Sequence, residues 1–143
     1  MFFVRLANTD DSKRISVINK SEFGYEYPVD KTTQRIGEII GKSSDRIYVV
    51  CEDEFVVGYV HASNYEGTYF DPQKNILAIA VDSTYQGKGL GRMLLDAVEG
   101  WAKEENCAGV RLVSGLNREE AHMFYEHCGY KLRKVQKNYI KIF

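Results

Sequence analysis

The chain has 143 residues, 44% hydrophobic and 27% charged, enough apolar side chain for one packed core and too much for a disordered segment. Lys plus Arg number 19 and Asp plus Glu 20, so the net charge of −1 lacks the basic excess of a nucleic-acid binder. The longest aliphatic run, Ile76 to Val81, falls far short of the ~20 residues that span a bilayer, and Cys51, Cys107 and Cys128 form neither a C-x-x-C pair nor a metal spacing with the histidines.

Phe2 to Ala7 is rich in aromatic and β-branched residues and predicts a first strand, ended by the helix-capping stretch Asn8-Thr9-Asp10. A helix is expected from Asp10 to about Phe23 on the stripe Ile15, Ile18 and Phe23. A second, short one is expected around Ile36, Ile39 and Ile40, weakened by Gly37 and Gly41. Arg46 to Glu52, a turn at Asp53-Glu54, and Phe55 to Asn64 alternate as a β-hairpin with an acidic tip. Tyr65 to Lys74 reads as a loop of about ten residues, a length often tied to function. Ile76 to Val81 is short and continuously apolar, as suits a central strand covered on both faces. After the glycine-rich stretch 86–91, Leu90, Leu94, Ala97, Val98 and Trp101 mark an amphipathic helix to about Glu105. Val110 to Val113 is a short strand. Asn117, three residues before Glu120, makes a capping-box-like start for a helix whose inner face carries Ala121, Phe124, Tyr125 and Cys128 and which Gly129 closes. Tyr130 to Phe143 reads as one or two strands bearing Lys131, Arg133, Lys134, Lys137 and Lys141. With no repeat or linker, and an N-terminus laid out in reverse of a signal peptide, the expectation is a single domain over 1–143, cytoplasmic, with free thiols, no metal, and no nucleic-acid or membrane partner.

The order strand, alternate-glycine turn, long helix suits an anion site and, on the glycines alone, equally a plain structural turn. The first amides of a helix have no internal acceptors and carry the positive end of its dipole, and a turn without side-chain bulk lets a phosphate reach them. A Walker A loop would need Gly-Lys-Ser or Gly-Lys-Thr, whereas Arg92-Met93 follows Gly91. The glycines at 87, 89 and 91 also miss the G-x-G-x-x-G spacing of a dinucleotide site.

Val81, four residues, then Gln86-Gly87-Lys88-Gly89-Leu90-Gly91 resembles the signature loop of the GNAT superfamily of acyl-CoA-dependent N-acyltransferases, as Gln86-x-x-Gly89-x-Gly91. Downstream, Asn117-Arg118, Ala121-His122, Phe124-Tyr125-Glu126 and Gly129-Tyr130 look like that family's later helix, in which an asparagine and a tyrosine face the cofactor. The resemblance is specific from about Asn75 to Tyr130. It implies an α/β (α+β) fold: a mixed, mostly antiparallel sheet flanked by helices and splayed between two central parallel strands, with coenzyme A in the cleft. It further implies acetyl-CoA as co-substrate and direct transfer of its acetyl group to a primary amine in a ternary complex.

By this resemblance the backbone of Ile79, Ala80 and Val81 pairs with the pantetheine arm. The turn formed by Gln86, Gly87, Lys88, Gly89, Leu90, Gly91 and Arg92 takes the pyrophosphate, Asn117 adds a cofactor contact, and Tyr125 protonates the departing thiolate. Relatives often place a glutamate on the central strand as general base, but Ile76 to Val81 carries no ionisable residue. The base is left among His61, Glu66, Glu52, Glu22, Glu26 and a water chain. Acidic residues in the first half, Glu22, Glu26, Asp30, Glu52, Asp53 and Glu54, suit a cationic acceptor: a polyamine, an aminoglycoside-like compound or a peptide amine. The alternative is an acyl-CoA-binding sensor or a degenerate fold without turnover, and a homodimer remains open.

Overall fold

A computed structural model describes all residues from Met1 to Phe143. Strands β1 (Phe2–Leu6), β2 (Asp45–Glu52), β3 (Phe55–Tyr65), β4 (Gln73–Val81) and β5 (Val110–Leu112) form one sheet in that order. β1 to β4 are antiparallel, and β5 joins β4 in parallel. The helices are α1 (Ser12–Ile18), α2 (Val29–Ile40), α3 (Leu90–Glu104) and α4 (Glu119–His127). By contacts the chain divides into two compact units, Met1–Leu112 and Val113–Phe143.

In the first unit, period-two alternation sends residues to two cores. Ile47, Val49, Tyr59 and Ala80 pack with Ile15 and Ile18 of α1 and Ile36 of α2. Val50, Val57, Val60, Ala62 and Ile76 are buried outside that cluster, and α3, which lies against β2, β3 and β4, buries Leu94, Leu95, Val98 and Trp101. The hairpin turns at Asp53, the one turn residue there with positive φ, as its acidic tip predicts.

Several elements depart from the sequence expectation. The first helix is not continuous: Asn8 caps a 3-10 turn at Thr9–Asp11, α1 follows, and a π-helical turn at Asn19–Phe23 runs to Gly24 at φ 74°. The wide turn shifts the later side chains off the α-helical stripe. α2 is longer than expected, 12 residues with Gly37 inside it, because its buried Thr32 and Ile36 outweigh the glycine's weak propensity. β4 begins at Gln73 rather than Ile76, so the loop before it shortens; Lys74, Asn75 and Ile76 pair with β5. That segment was hidden because its polar Lys74 is a buried residue with its own partners.

In the second unit α4 starts one residue later than the capping box implied. Arg118, not Asn117, occupies the N-cap position and makes no side-chain cap bond; Asn117 lies inside a turn closed by Arg118 N–H to the Gly115 carbonyl at 3.0 Å. The other end agrees with expectation. Gly129 (φ 91°) donates to the Glu126 carbonyl and Tyr130 to the Tyr125 carbonyl, the paired bonds of a Schellman stop. Tyr130 to Phe143 forms no strand, and Leu132, Val135, Tyr139, Ile140, Ile142 and Phe143 are exposed. An alternating pattern signals a strand only where a neighbouring strand supplies partners, and none bonds here.

Candidate active site

The site is built where β4 gives way to α3. Beyond Val81, Asp82 caps a 3-10 turn at Ser83–Tyr85, accepting from the Thr84 amide at 3.0 Å. That bond, first, and the Arg14 guanidinium at 3.0 Å hold the Asp82 carboxyl below its ordinary range. Arg14 also donates to the Val56 carbonyl at 2.9 Å, so α1, β3 and the turn are tied together. Gln86 donates to the Val81 carbonyl at 3.2 Å and to Glu22 at 3.3 Å, while Glu22 accepts from the Ser83 amide at 3.2 Å.

Gly87 and Gly89 stand at φ 80° and 78°, and a Cβ at either would meet nothing within 4 Å. The left-handed backbone explains both glycines, including Gly87, which lies outside the Gln86-x-x-Gly89-x-Gly91 spacing. Gln86, Gly87, Lys88, Gly89 and Arg92 are exposed, Gly91 is half-buried, and Leu90 is buried as the first core residue of α3. The first backbone bond of the helix runs from Met93 to the Gly89 carbonyl at 3.2 Å, so the amides of Gly87 to Gly91 precede the hydrogen-bonded ladder.

The neighbouring strand has an open edge. The parallel ladder ends at Ile76↔Leu112, whereas β4 continues to Val81, paired on its other side with β3 through Val81↔Gly58. At the point of separation the β3–β4 register slips: His61 faces Ala78, Ala62 faces Ile76, and Leu77 between them is a bulge, 55% exposed. A bulge bends its strand, which is the local reason for the parting of β4 from β5. Ile79 and Val81 are half-buried and Ala80 is buried, so β4 is not covered on both faces along its whole length as its apolar run had suggested.

A profile of the acetyltransferase (GNAT) family matches residues 13–130. The chain belongs to that family. An uncharacterized N-acetyltransferase of Bacillus subtilis (strain 168), YhdJ, is 28% identical over 105 residues, 73% of this chain and 74% of the relative. An aminoglycoside N(6')-acetyltransferase type 1 of Stenotrophomonas maltophilia is 30% identical over 98 residues, 66% of this chain and 54% of that protein, so the match spans about half the relative's length. Among solved structures, AAC(6')-Iy in complex with a bisubstrate analogue superposes with a TM-score of 0.87 at 16% identity, covering 100% of this chain and 99% of that one, a likeness of fold. The GNAT expectation and its mixed, mostly antiparallel sheet with flanking helices thus stand.

Other features of this GNAT chain were not legible beforehand. An open cavity of about 440 Å³ is lined by Asn19, Gly24, Tyr25, Glu26 and Tyr27. Asn19 accepts a hydrogen bond from Tyr59, whose phenol is pushed up to about 12 by burial first, with the Asn19 bond pulling the other way. Tyr59 lies opposite Ala80, so one side of the cavity borders the α1–α2 face of β3 and β4. The six acidic residues do not form one rim. Glu26 lines the cavity, Glu22 holds the turn, and Glu52 to Glu54 sit at the hairpin tip, the end of β3 beyond Gly58↔Val81. In the second unit Asn117 is exposed and Tyr125 half-buried, its ring 5.5 Å from Phe124 and 6.3 Å from Tyr130. Burial pushes the Tyr125 phenol up, and the Arg118 charge works against it. No helix of the chain is long and apolar enough to cross a membrane.

Proposed function

We propose that the protein transfers an acetyl group from acetyl-CoA directly to a primary amine of a small cationic molecule or a peptide. The observation that carries the proposal is the unpaired edge of β4 from Leu77 to Val81 leading into a left-handed glycine turn at a helix N-terminus, in a chain of this family. The pantetheine amides would pair with the backbone of Ile79, Ala80 and Val81, as an added strand pairs with a sheet edge. The amides from Gly87 to Arg92 would take the pyrophosphate, with Gln86 and Lys88 flanking and Leu90 anchoring the helix. Asn117 would contact the cofactor. The family match crosses residue 112, which supports reading both units as one catalytic domain.

Attack of the neutral amine on the thioester carbonyl forms the C–N bond, and collapse of the tetrahedral adduct breaks the C–S bond. Tyr125 supplies the thiolate's proton, since its raised phenol keeps the proton through neutral pH. The acceptor would enter the cavity at Tyr25, Glu26 and Tyr27, whose ring faces and carboxylate favour a cation. Support for an aminoglycoside-like acceptor is the name of the Stenotrophomonas relative.

The test is thiol release from acetyl-CoA across a panel of amines, alcohols and carboxylates. Cationic amines should turn over, with the rate rising from pH 6 to about 8.5. Release that requires a hydroxyl acceptor and ignores amines refutes the proposal, and acetyl-CoA binding without any turnover favours a sensor instead.

A further inference from the structure

The mechanism lacks a group to accept the amine's proton, and β4 supplies none between Ile76 and Val81. The adjacent strand does. His61 of β3 faces Ala78 across the Leu77 bulge, and its Nε2 lies 2.8 Å from the Asp45 carboxylate of β2, with both side chains about 15% exposed (15% and 14%). Asp45 is in turn held by the Ser44 hydroxyl at 2.6 Å. Burial would raise the Asp45 carboxyl, but the bonds from Ser44 and His61 and the charge of Lys42 outweigh it and keep it ionised. An ionised Asp45 accepts, so Nε2 carries the hydrogen and the lone pair is at Nδ1. No hydrogen bond within the protein engages Nδ1.

The position follows from the length of the cofactor. The pantetheine arm has about twelve chain atoms between phosphate and sulfur, the reach of roughly four extended residues, or about 13 Å. On the reading above the arm pairs with Ile79 to Val81 and its phosphate end lies toward the glycine turn, so its sulfur end would point along β4 toward Ala78 and Leu77. His61 is the residue paired with Ala78. It shares a sheet face with Tyr59, two residues along β3, which bonds Asn19 at the wall of the amine-sized cavity.

We propose that His61 is the general base of the acetyl transfer and that Asp45 positions it. The proposal rests on the acetyltransferase reading above. As the amine nitrogen bonds to the acetyl carbon, its N–H proton passes to His61 Nδ1. The C–S electron pair leaves with sulfur, which takes its proton from Tyr125; the imidazolium then returns its proton to solvent and the phenolate recovers one from it. Around His61, Asp45 of β2 bonds its ring, Lys42 beyond α2 acts on Asp45, Tyr59 shares its face of β3, and β4 carries no ionisable residue between Ile76 and Val81. Further down β4, Asn75 is engaged by Arg111 at 2.7 Å.

Three variants test this: His61→Gln, His61→Ala with and without added imidazole, and Asp45→Asn, each assayed for acetyl-CoA binding by calorimetry and for kcat against pH. In His61→Gln, kcat should fall about 10²–10⁴-fold with binding unchanged, and the limb in the range of about pH 5–8 should vanish. Imidazole should restore part of the rate of His61→Ala. Asp45→Asn should lower kcat with acetyl-CoA binding unchanged, because an amide can turn either its oxygen or its nitrogen to the ring and no longer fixes the lone pair at Nδ1. A His61→Gln protein with the parental rate and limb overturns the proposal, as does an Asp45→Asn protein with the parental kcat, and the latter decides the matter if the His61 variants do not fold. In both cases the parent still acetylates amines. A parent that binds acetyl-CoA yet acetylates no amine instead refutes the acetyltransferase reading itself, and this proposal with it.

Discussion

Gly89 has a positive φ and open space where a side chain would be, so a substitution there has two separable effects. A Val in the left-handed region costs about 1–2 kcal/mol in backbone strain, and its branches occupy the approach of a phosphate to the helix amides. Gly89→Val should therefore melt slightly earlier than the parent and lose the stabilisation that acetyl-CoA gives it, about 2.7 kcal/mol at 100 times the dissociation constant. Scanning calorimetry with and without acetyl-CoA reads both. Tyr125 makes the converse case, a side chain whose removal should affect chemistry and little else. Tyr125→Phe keeps the ring contacts with Phe124 and Tyr130 and deletes one hydroxyl, so kcat should drop by about 10²–10⁴ while the Kd for acetyl-CoA stays. If the variant melts early and turns over normally, the residue only packs.

At the scale of elements, β4 is joined to α3 by a charge on the face away from α1 and α2. Lys74 is 1% exposed, its ammonium bonded to Asn64 Oδ1 at 2.6 Å and to Glu105, 3.6 Å over the Trp101 ring, while Trp101 donates to Glu105 at 3.0 Å. The two ends differ, because the Glu105 side chain is 43% exposed and can rehydrate whereas Lys74 cannot. Glu105→Gln should accordingly cost about 1–2 kcal/mol, less than for a fully buried pair because Asn64 and the Trp101 ring still hold the cation, and Lys74→Met less again, as urea unfolding would show. The Lys74 bond, first, lowers the Glu105 carboxyl, so this contribution is present above the unfolded pKa of about 4.3 and is lost as pH falls through the lowered folded value. The cost of Glu105→Gln should shrink in acid. The same lysine shows why β4 was only partly legible. Ile76 to Val81 announced itself by continuous apolar character, but a lysine in a strand reads as solvent-facing until its partners, ten and 31 residues away, are known. The glycine turn and the hairpin were legible because backbone geometry dictates residue type locally. The His61–Asp45 pair was not, since it depends on the β2–β3 register between residues 16 apart.

For the molecule as a whole, the strand order and the helices on the sheet follow from patterns of period two and 3.6, and the order of motifs was enough to recognise the family. The C-terminal stretch forms no strand despite its pattern, since a pattern is a statement about side chains and strands need partners for their backbones. With Lys131, Arg133, Lys134, Lys137 and Lys141 exposed on a backbone without strand or helix, trypsin should trim this tail before it cuts the sheet, as mass spectrometry of a timed digest would show. The parting of β4 from β5 should also be visible in the exchange of amide hydrogens for deuterium. Along Leu77 to Val81, alternate N–H groups point to β3 or to the side that β5 has left, so one strand should contain both slow and fast positions. Saturation with coenzyme A should slow only the fast set, giving β4 the uniform protection of an interior strand. In this protein the ligand would then serve as the missing stretch of sheet, and its residence time would be recorded in amides that belong to the apolar core.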